Sequence, residues 1–296
     1  MLKRTVKKIL YNIPINSFVF GFIKKVVIPP YPIRRHMTFK GKFLIQNRDG
    51  KQLYLTNNSF RLENELFWLG LDDFDWEVQT RKLWIHLCKQ SETIFDIGAN
   101  IGIFSMLAKV YSPNSSVYAF EPQPNIYKVL SNNNNLNQFD VRCENIALSD
   151  KEGEIPFYNF GPEAFEGNTT AGSLNKHFRP EDQRSIMVSA TKLDHYLTSH
   201  KLEGIDLIKL DVETHEPEIL KGYGESLLMH KPVIILEVQD EEIGKRIESL
   251  IPQKEYLYYN IDEKAGLKKV SNIGLSHDKN YLLCPKSKVD KIQDYK

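Results

Sequence analysis

The sequence predicts an α/β fold built on a parallel sheet covered by helices, and three observations carry that prediction. From residue 93 onward short β-branched runs alternate with amphipathic segments. The run Thr93 to Ile97 leads straight into Asp96-Ile-Gly98-Ala-Asn100-Ile-Gly102, which is followed by the helical pattern Ile103, Phe104, Leu107, Ala108. A second apolar run, Val117-Tyr-Ala-Phe-Glu121, then ends in a carboxylate 25 residues after Asp96.

Residues 1–36 form a basic arm in which Lys and Arg mix with Phe18, Val19, Phe20, Phe22, Ile23 and Val26. Such a composition suits an anionic membrane surface or an acidic partner, or else an arm packed on the body of the protein. Its apolar run is broken by Asn12, Pro14, Asn16 and Ser17 and stopped by Lys24-Lys25, so neither a signal peptide nor a spanning helix is expected. Pro29-Pro30-Tyr31-Pro32 reads as a stiff extended linker. Residues 37–90 should hold a hairpin, Lys42 to Gln46 and Gln52 to Leu55, and a helix from Trp76 to Leu87. Residues 91–286 form the main domain and 287–296 a tail. Expected strands are Thr93 to Ile97, Ser116 to Phe120, Val141 to Asn145, Ile205 to Leu210 and Pro232 to Val238, with Tyr256 to Tyr259 and Tyr281 to Cys284 closing an antiparallel edge. The first, fourth and fifth are almost wholly apolar, as strands buried on both faces are. Asn132 to Asn135 reads as the frayed end of a helix.

Of 296 residues, 41% are apolar and 26% charged, and 39 Lys+Arg stand against 38 Asp+Glu, a balance that excludes disorder and argues against a general nucleic-acid binder. The balance is uneven along the chain. Residues 1–48 hold eleven Lys/Arg and no acid, so a basic arm precedes an acidic body. Cys88, Cys143 and Cys284 lie far apart with no C-x-x-C pair, which favours neither a disulfide framework nor a zinc site and makes the reducing cytoplasm the simplest compartment.

The turn after the first strand is of a nucleotide-binding type. Glycines let the backbone approach a ligand, and the helix that follows offers unpaired amides. Glu121 at the end of the next strand can accept both hydroxyls of a ribose. Dinucleotide enzymes bring G-x-G-x-x-G against a pyrophosphate, whereas this turn is G-x-x-x-G with Asp96 in place. An acid there repels pyrophosphate and suits a cationic group such as the amino group of S-adenosylmethionine.

A second constellation follows the fourth strand: Lys209-Leu-Asp211-Val-Glu213-Thr-His215-Glu216 packs five ionisable residues into eight positions. In extended geometry Lys209, Asp211 and Glu213 share one face, and His215 continues that face or starts the next helix. Asp211, Glu213, His215 and Glu237 could also hold a divalent cation, although no spacing singles out a metal. Trp68, Trp76 and Trp84 lie before the cofactor turn, where core packing and stacking on a sugar face are both open.

Asp96-Ile-Gly-Ala-Asn-Ile-Gly102, Phe120-Glu-Pro122, Ala147-Leu-Ser-Asp150 and above all Lys209-Leu-Asp-Val-Glu-Thr-His-Glu216, in this order, resemble the FkbM family of S-adenosylmethionine-dependent methyltransferases. The resemblance spans residues 75 to 286 or so, and Thr214 stands where the family usually has glycine. It implies a class I methyltransferase fold, Rossmann-like, with a mostly parallel seven-stranded sheet, helices on both faces and an N-terminal extension. It also implies O-methylation of a hydroxyl, often on a sugar or a natural product. Carried over residue by residue, it sets the cofactor's methionine end against Asp96, Gly98, Asn100 and Gly102, and the ribose on Glu121. The adenine would border Asn145, Ala147 and Leu148. The stretch Asn168 to Leu174, including Ser173, matches a loop on the substrate side.

Methyl transfer to oxygen is an in-line displacement that also needs the hydroxyl proton removed. His215 is the expected base, oriented by Asp211 or Glu213, with Glu237 at the same rim binding acceptor hydroxyls. The expected function is O-methylation of a sugar or glycoconjugate. The alternatives are a small natural product or lipid-linked acceptor, for which the arm would dock at a membrane, and an S-adenosylmethionine-binding interaction protein without turnover.

Overall fold

A computed structural model describes residues 15–160, 172–177 and 183–295. The beginning of the basic arm and Asn168 to Ala171 of the expected substrate loop lie outside the described residues. The chain divides into two compact units, one of residues up to Trp76 together with Asn132–Gln138, the other of Glu77–Ser131 and Phe139 onward.

In the first unit, helices α1 (Ile15–Val26) and α2 (Tyr31–Arg34) precede the antiparallel hairpin β1 (Lys40–Gln46) and β2 (Gln52–Asn58), and α3 (Arg61–Leu69) follows. Glu63 at the start of α3 accepts the amide of Phe60 at 3.3 Å, which closes the helix N-terminus. The core is aromatic: Phe39, Phe43, Phe67 and Trp68 are buried and meet edge to face, Phe39 and Phe67 at 4.7 Å. The asparagine tract is no frayed end. It belongs to helix α6 (Pro124–Leu136), defined below with its neighbours, and Asn133 Oδ1 accepts the amide of Thr56 at 2.9 Å. Asn137 just beyond accepts from Tyr54 N and donates to Tyr54 O, each at 2.7 Å, standing in for an edge strand.

In the second unit the elements run α4 (Val78–Cys88), β3 (Thr93–Ile97), α5 (Ile103–Tyr111), β4 (Ser116–Phe120), α6, β5 (Arg142–Glu144), β6 (Ala147–Ser149), β7 (Gly153–Phe160), β8 (Gly172–Ser173) and β9 (Gln183–Lys192). They continue as α7 (Leu193–Ser199), β10 (Leu207–Leu210), α8 (Glu216–Tyr223), α9 (Ser226–His230), β11 (Val233–Glu237), α10 (Glu241–Leu250), β12 (Tyr256–Asp262), β13 (Gly266–Val270), β14 (Asn280–Pro285) and α11 (Asp290–Gln293). The main sheet has the order β13-β12-β14-β11-β10-β3-β4-β5, with β11, β10, β3, β4 and β5 parallel and β14, β12 and β13 antiparallel. This is the class I methyltransferase sheet, seven expected strands plus β13, which hairpins onto β12 as an eighth. The central strands are apolar because helices cover both faces; all four residues of β10 are buried.

The sequence reading missed a second sheet, β6-β9-β7-β8. Its apolar residues are few and set among polar ones, Ile155 and Phe157 on either side of Pro156 in β7 and Ile186-Met187-Val188 in β9, so no long apolar run marks its strands. The core of the second unit is one large cluster that includes Phe95, Phe120, Leu148, Leu210, Ile219 and Leu236, with a smaller one around Phe157 and Val188 under the second sheet. Trp68 and Trp84 are fully buried, and Trp84 Nε1 donates to Phe104 O at 2.9 Å, so both serve packing and neither is open for sugar stacking.

Candidate active site

The cofactor turn is built by backbone conformation. Gly98, Asn100 and Gly102 all have positive φ, +80°, +53° and +91°. At Gly98 a Cβ would lie 1.9 Å from the carbonyl oxygen of Asp211, so glycine alone lets the turn nest against the end of β10. Gly98 and Ala99 donate to Phe120 O at 3.0 and 2.9 Å, which ties the turn to the end of β4. Gly102 begins α5 without a side-chain cap, so the first amides of that helix face the turn.

Glu121 anchors the other side. Its Oε2 accepts Asn100 N at 3.0 Å and its Oε1 accepts Gln123 N at 2.8 Å. Burial raises its carboxyl pKa, and against the opposing pull of the two amides it still stands at about 7. Asn145 Nδ2 donates to Glu121 O at 2.8 Å and to Pro122 O at 3.0 Å, so Asn145 shapes the loop that carries the carboxylate. Ala147 and Leu148 lie on β6 of the second sheet, not on the third strand of the main one, and their side chains belong to buried apolar clusters.

Asp96 is one residue inside β3 and 1% exposed, and it accepts a hydrogen bond from Ser105 Oγ. It is paired in register with Lys209 of β10, so the two share a face of the sheet. Burial raises its pKa and Lys209 opposes that. Lys209 Nζ sits 2.7 Å from Asp211 Oδ2 and 4.3 Å from the centroid of the Phe104 ring. Burial alone would lower the Lys209 pKa, but Asp211, Glu77 and Asp96 outweigh it and raise it.

Beyond β10 the structure departs from the extended geometry expected of the second constellation. Glu213 and Thr214 both take left-handed conformations, φ +54° and +77°, and this turns His215 away from Asp211 and Glu213. Thr214 thus occupies, with a β-branched side chain, a conformation that favours glycine, and Asn175 Nδ2 secures its Oγ1 at 2.9 Å. Ser173 Oγ donates to Glu213 O at 2.6 Å, bracing the same turn. Glu213 and Glu237 are both held by Gln239 Nε2, at 3.1 and 2.5 Å.

His215 faces a different set of partners from those expected. Its Nε2 is 3.0 Å from Ser149 Oγ and its Nδ1 is 3.7 Å from Glu218 Oε2, so Ser149 and Glu218 orient the ring in place of Asp211 or Glu213. Glu218 is itself held by Arg246. Burial lowers the His215 pKa, with Glu218 and Asp150 pulling the other way. The imidazole is therefore neutral at pH 7. At Gly222 of α8 a Cβ would lie 2.1 Å from Ser149 O, so helix and strand meet backbone to backbone and set Ser149 beside His215. The imidazole lines a cavity of about 890 Å³ whose walls include Tyr158, Asn175, Lys176, Asp240 and Arg246.

Of the residues weighed for a metal, Glu213 and Glu237 meet at Gln239 while His215 is turned away, and among the described residues no group of three or more His, Cys, Asp or Glu side chains is arranged to hold one. No helix among them is long and apolar enough to cross a membrane.

Glu77 was missed by sequence reasoning. It stands at the N-terminus of α4 in a left-handed conformation, φ +46°, yet does not cap the helix. Glu263 does so instead, accepting Gln79 N at 2.7 Å and Thr80 Oγ1 at 2.6 Å. The Glu77 carboxylate is buried, and its Oε2 has no hydrogen-bond partner. Burial raises its pKa; Lys209 lowers it and Asp211, Glu237 and Glu263 raise it further. Glu77 thus combines a left-handed backbone with an unpartnered buried oxygen among Lys209, Asp211, Glu237 and Glu263.

S-adenosylmethionine fits these residues. The Glu121 carboxylate suits the ribose hydroxyls of its nucleoside, and the unpaired Oε2 of Glu77 suits its cationic methionine end. Residues 96–258 match the Methyltransferase FkbM domain. The chain is 27% identical over 174 residues to the 31-O-demethyl-FK506 methyltransferase FkbM of Streptomyces tacrolimicus, covering 51% of this chain and 67% of that protein. It is 32% identical over 188 residues to Methyltransferase sdnD of Sordaria araneosa, covering 54% of this chain and 72% of that one. It is 25% identical over 194 residues to the Hexuronic acid methyltransferase AglP of Haloferax volcanii, covering 64% and 76%. The chain belongs to the FkbM family of S-adenosylmethionine-dependent methyltransferases.

Proposed function

We propose that the protein methylates a hydroxyl group of a sugar or glycoconjugate. The observation that carries this reading is the polar cavity at His215, where Asn175, Lys176, Asp240 and Arg246 offer both donors and acceptors to a polyhydroxylated acceptor. Two relatives named for sugar and position-specific chemistry support it, the hexuronic acid enzyme and the 2-O-methyltransferase NoeI of Sinorhizobium fredii. A natural-product acceptor is the second reading, favoured by the FK506 relative. The free thiols of Cys88, Cys143 and Cys284 support a reducing, cytoplasmic setting.

S-adenosylmethionine supplies an electrophilic methyl group on a sulfonium. The chain's own part is to hold and align. Glu121 accepts the ribose hydroxyls with the lone pairs left by Asn100 N and Gln123 N. Glu77 takes the methionine ammonium, and Asp96 with Lys209 keeps the turn rigid from behind. Asp211 is held by Lys209 with its carboxylate at the strand end, and Glu237 with Gln239 positions acceptor hydroxyls. His215 takes the acceptor proton, and Glu218 stabilises the imidazolium that results. Ser173 supports the Glu213 turn that sets His215 apart.

Incubating the purified chain with methyl-labelled S-adenosylmethionine and a panel of glycans, uronic acids included, alongside polyketide and peptide acceptors tests this reading. Label recovered as an O-methyl ether on a sugar ring supports it. Label recovered only on polyketide or peptide acceptors overturns it in favour of the second reading.

A further inference from the structure

We propose that the face of α1 carrying Phe18, Phe22 and Val26 docks on an anionic phospholipid surface. These side chains are 81%, 66% and 72% exposed and recur at four-residue spacing, so they form one stripe along the helix. The opposite side of α1 is anchored: Phe20 packs on Trp68 at 5.9 Å between ring centroids, and Lys24 Nζ donates to Phe67 O. The helix is thereby held with its apolar stripe outward.

The exposure is local. Of the fourteen large apolar side chains exposed among the described residues, eight fall between Phe18 and Ile33, including Val27 and Ile28 just after the helix. A contiguous apolar patch of this kind marks an interaction surface. Charge then selects the occupant. Lys25, Arg35, Lys40 and Lys42 are exposed in the same unit, and no acid occurs before Asp49. An apolar stripe in a stretch whose charged residues up to Arg48 are all basic is complementary to a bilayer rich in anionic headgroups, which takes the aromatic side chains below the headgroups and pairs with the bases. With twelve residues α1 is too short to span the roughly 30 Å hydrocarbon core, so it lies in the interface.

This inference is independent of the acceptor, because vesicle binding is read without turnover. The test is flotation of the full chain with vesicles of phosphatidylglycerol in phosphatidylcholine, and with phosphatidylcholine alone, at low and high salt. The expected result is binding to the anionic vesicles that weakens with salt. It should fall about tenfold or more in Phe18→Ser/Phe22→Ser and in Lys25→Gln/Arg35→Gln, with unchanged circular dichroism. No binding to anionic vesicles at low salt overturns the proposal, as does binding that neither double variant alters. A wild-type dimer that Phe18→Ser/Phe22→Ser converts to monomer in light scattering assigns the face to a second copy and also overturns it.

Discussion

Nε2 of His215 and Oγ of Ser149 lie 3.0 Å apart, while Glu218 Oε2 faces Nδ1 at 3.7 Å with no hydrogen bond of its own. An imidazole whose Nδ1 faces a carboxylate would serve as a general base once an acceptor hydroxyl takes the place of Ser149 Oγ at Nε2. We expect His215→Ala to leave S-adenosylmethionine affinity within about twofold and to lower turnover by about 10²-fold or more. Because burial lowers its pKa, kcat should be flat above neutrality and fall on acidification below the ordinary imidazole range. Steady-state rates across pH, with binding measured separately, check this; unchanged turnover in the variant removes His215 from the mechanism.

The unpaired oxygen of Glu77 leads to a selective binding defect. Glu77→Gln keeps shape and removes charge, so it should weaken S-adenosylmethionine about tenfold or more while leaving adenosine, which has no ammonium, unaffected. Competition titrations with both ligands distinguish this from misfolding. Equal loss for the two ligands means that Glu77 supports the site structurally and touches no ammonium.

Buried carboxyls also fix the direction of the stability profile. The Glu121 pKa rises to about 7, and Glu77, Glu237, Glu216 and Asp96 are raised by burial as well. Between the ordinary carboxylate range and pH 7 the folded chain holds protons that the unfolded chain has released, so stability falls as pH rises through that window. His215 and His230, lowered by burial, work in the opposite sense but are fewer. The ligand-free protein should therefore melt higher at pH 5.5 than at pH 7.5, with Glu121 contributing at most about 3 kcal/mol. Glu121→Gln should flatten the slope. Thermal melts of both proteins across this range check it, and a slope of opposite sign would show that these groups stay ionised in the fold.

The parallel strands and the cofactor turn were legible because buried strands need apolar runs and a glycine turn with a matched acid has a fixed spacing, Asp96 to Glu121. What local pattern cannot report is direction after a strand ends. Strand alternation leaves His215 either on the face of Asp211 or at the start of the next helix, and the structure takes the second, because Glu213 and Thr214 turn the chain in left-handed conformations and His215 becomes the N-cap of α8. Glu77 carried no signal because its freedom depends on Glu263, a residue distant in sequence that caps α4 in its place. Asn132 to Asn135 read as a frayed helix end because the backbone that Asn133 satisfies, at Thr56, lies some eighty residues away, as does Tyr54, the partner of Asn137. The second sheet was missed because its apolar residues, among them Ile155, Phe157, Ile186 and Val188, are spaced among polar ones and form no run long enough to mark a buried strand.

Calorimetric titration of wild type and Glu121→Ala with S-adenosylmethionine, and in parallel with NADH, tests most directly whether this site is the cofactor site of a methyltransferase. A single micromolar site for S-adenosylmethionine and none for NADH are expected, with loss of about tenfold or more of the affinity when the Glu121 carboxylate is removed. Absence of S-adenosylmethionine binding in folded wild-type protein, or an affinity that Glu121→Ala leaves unchanged, would contradict that assignment.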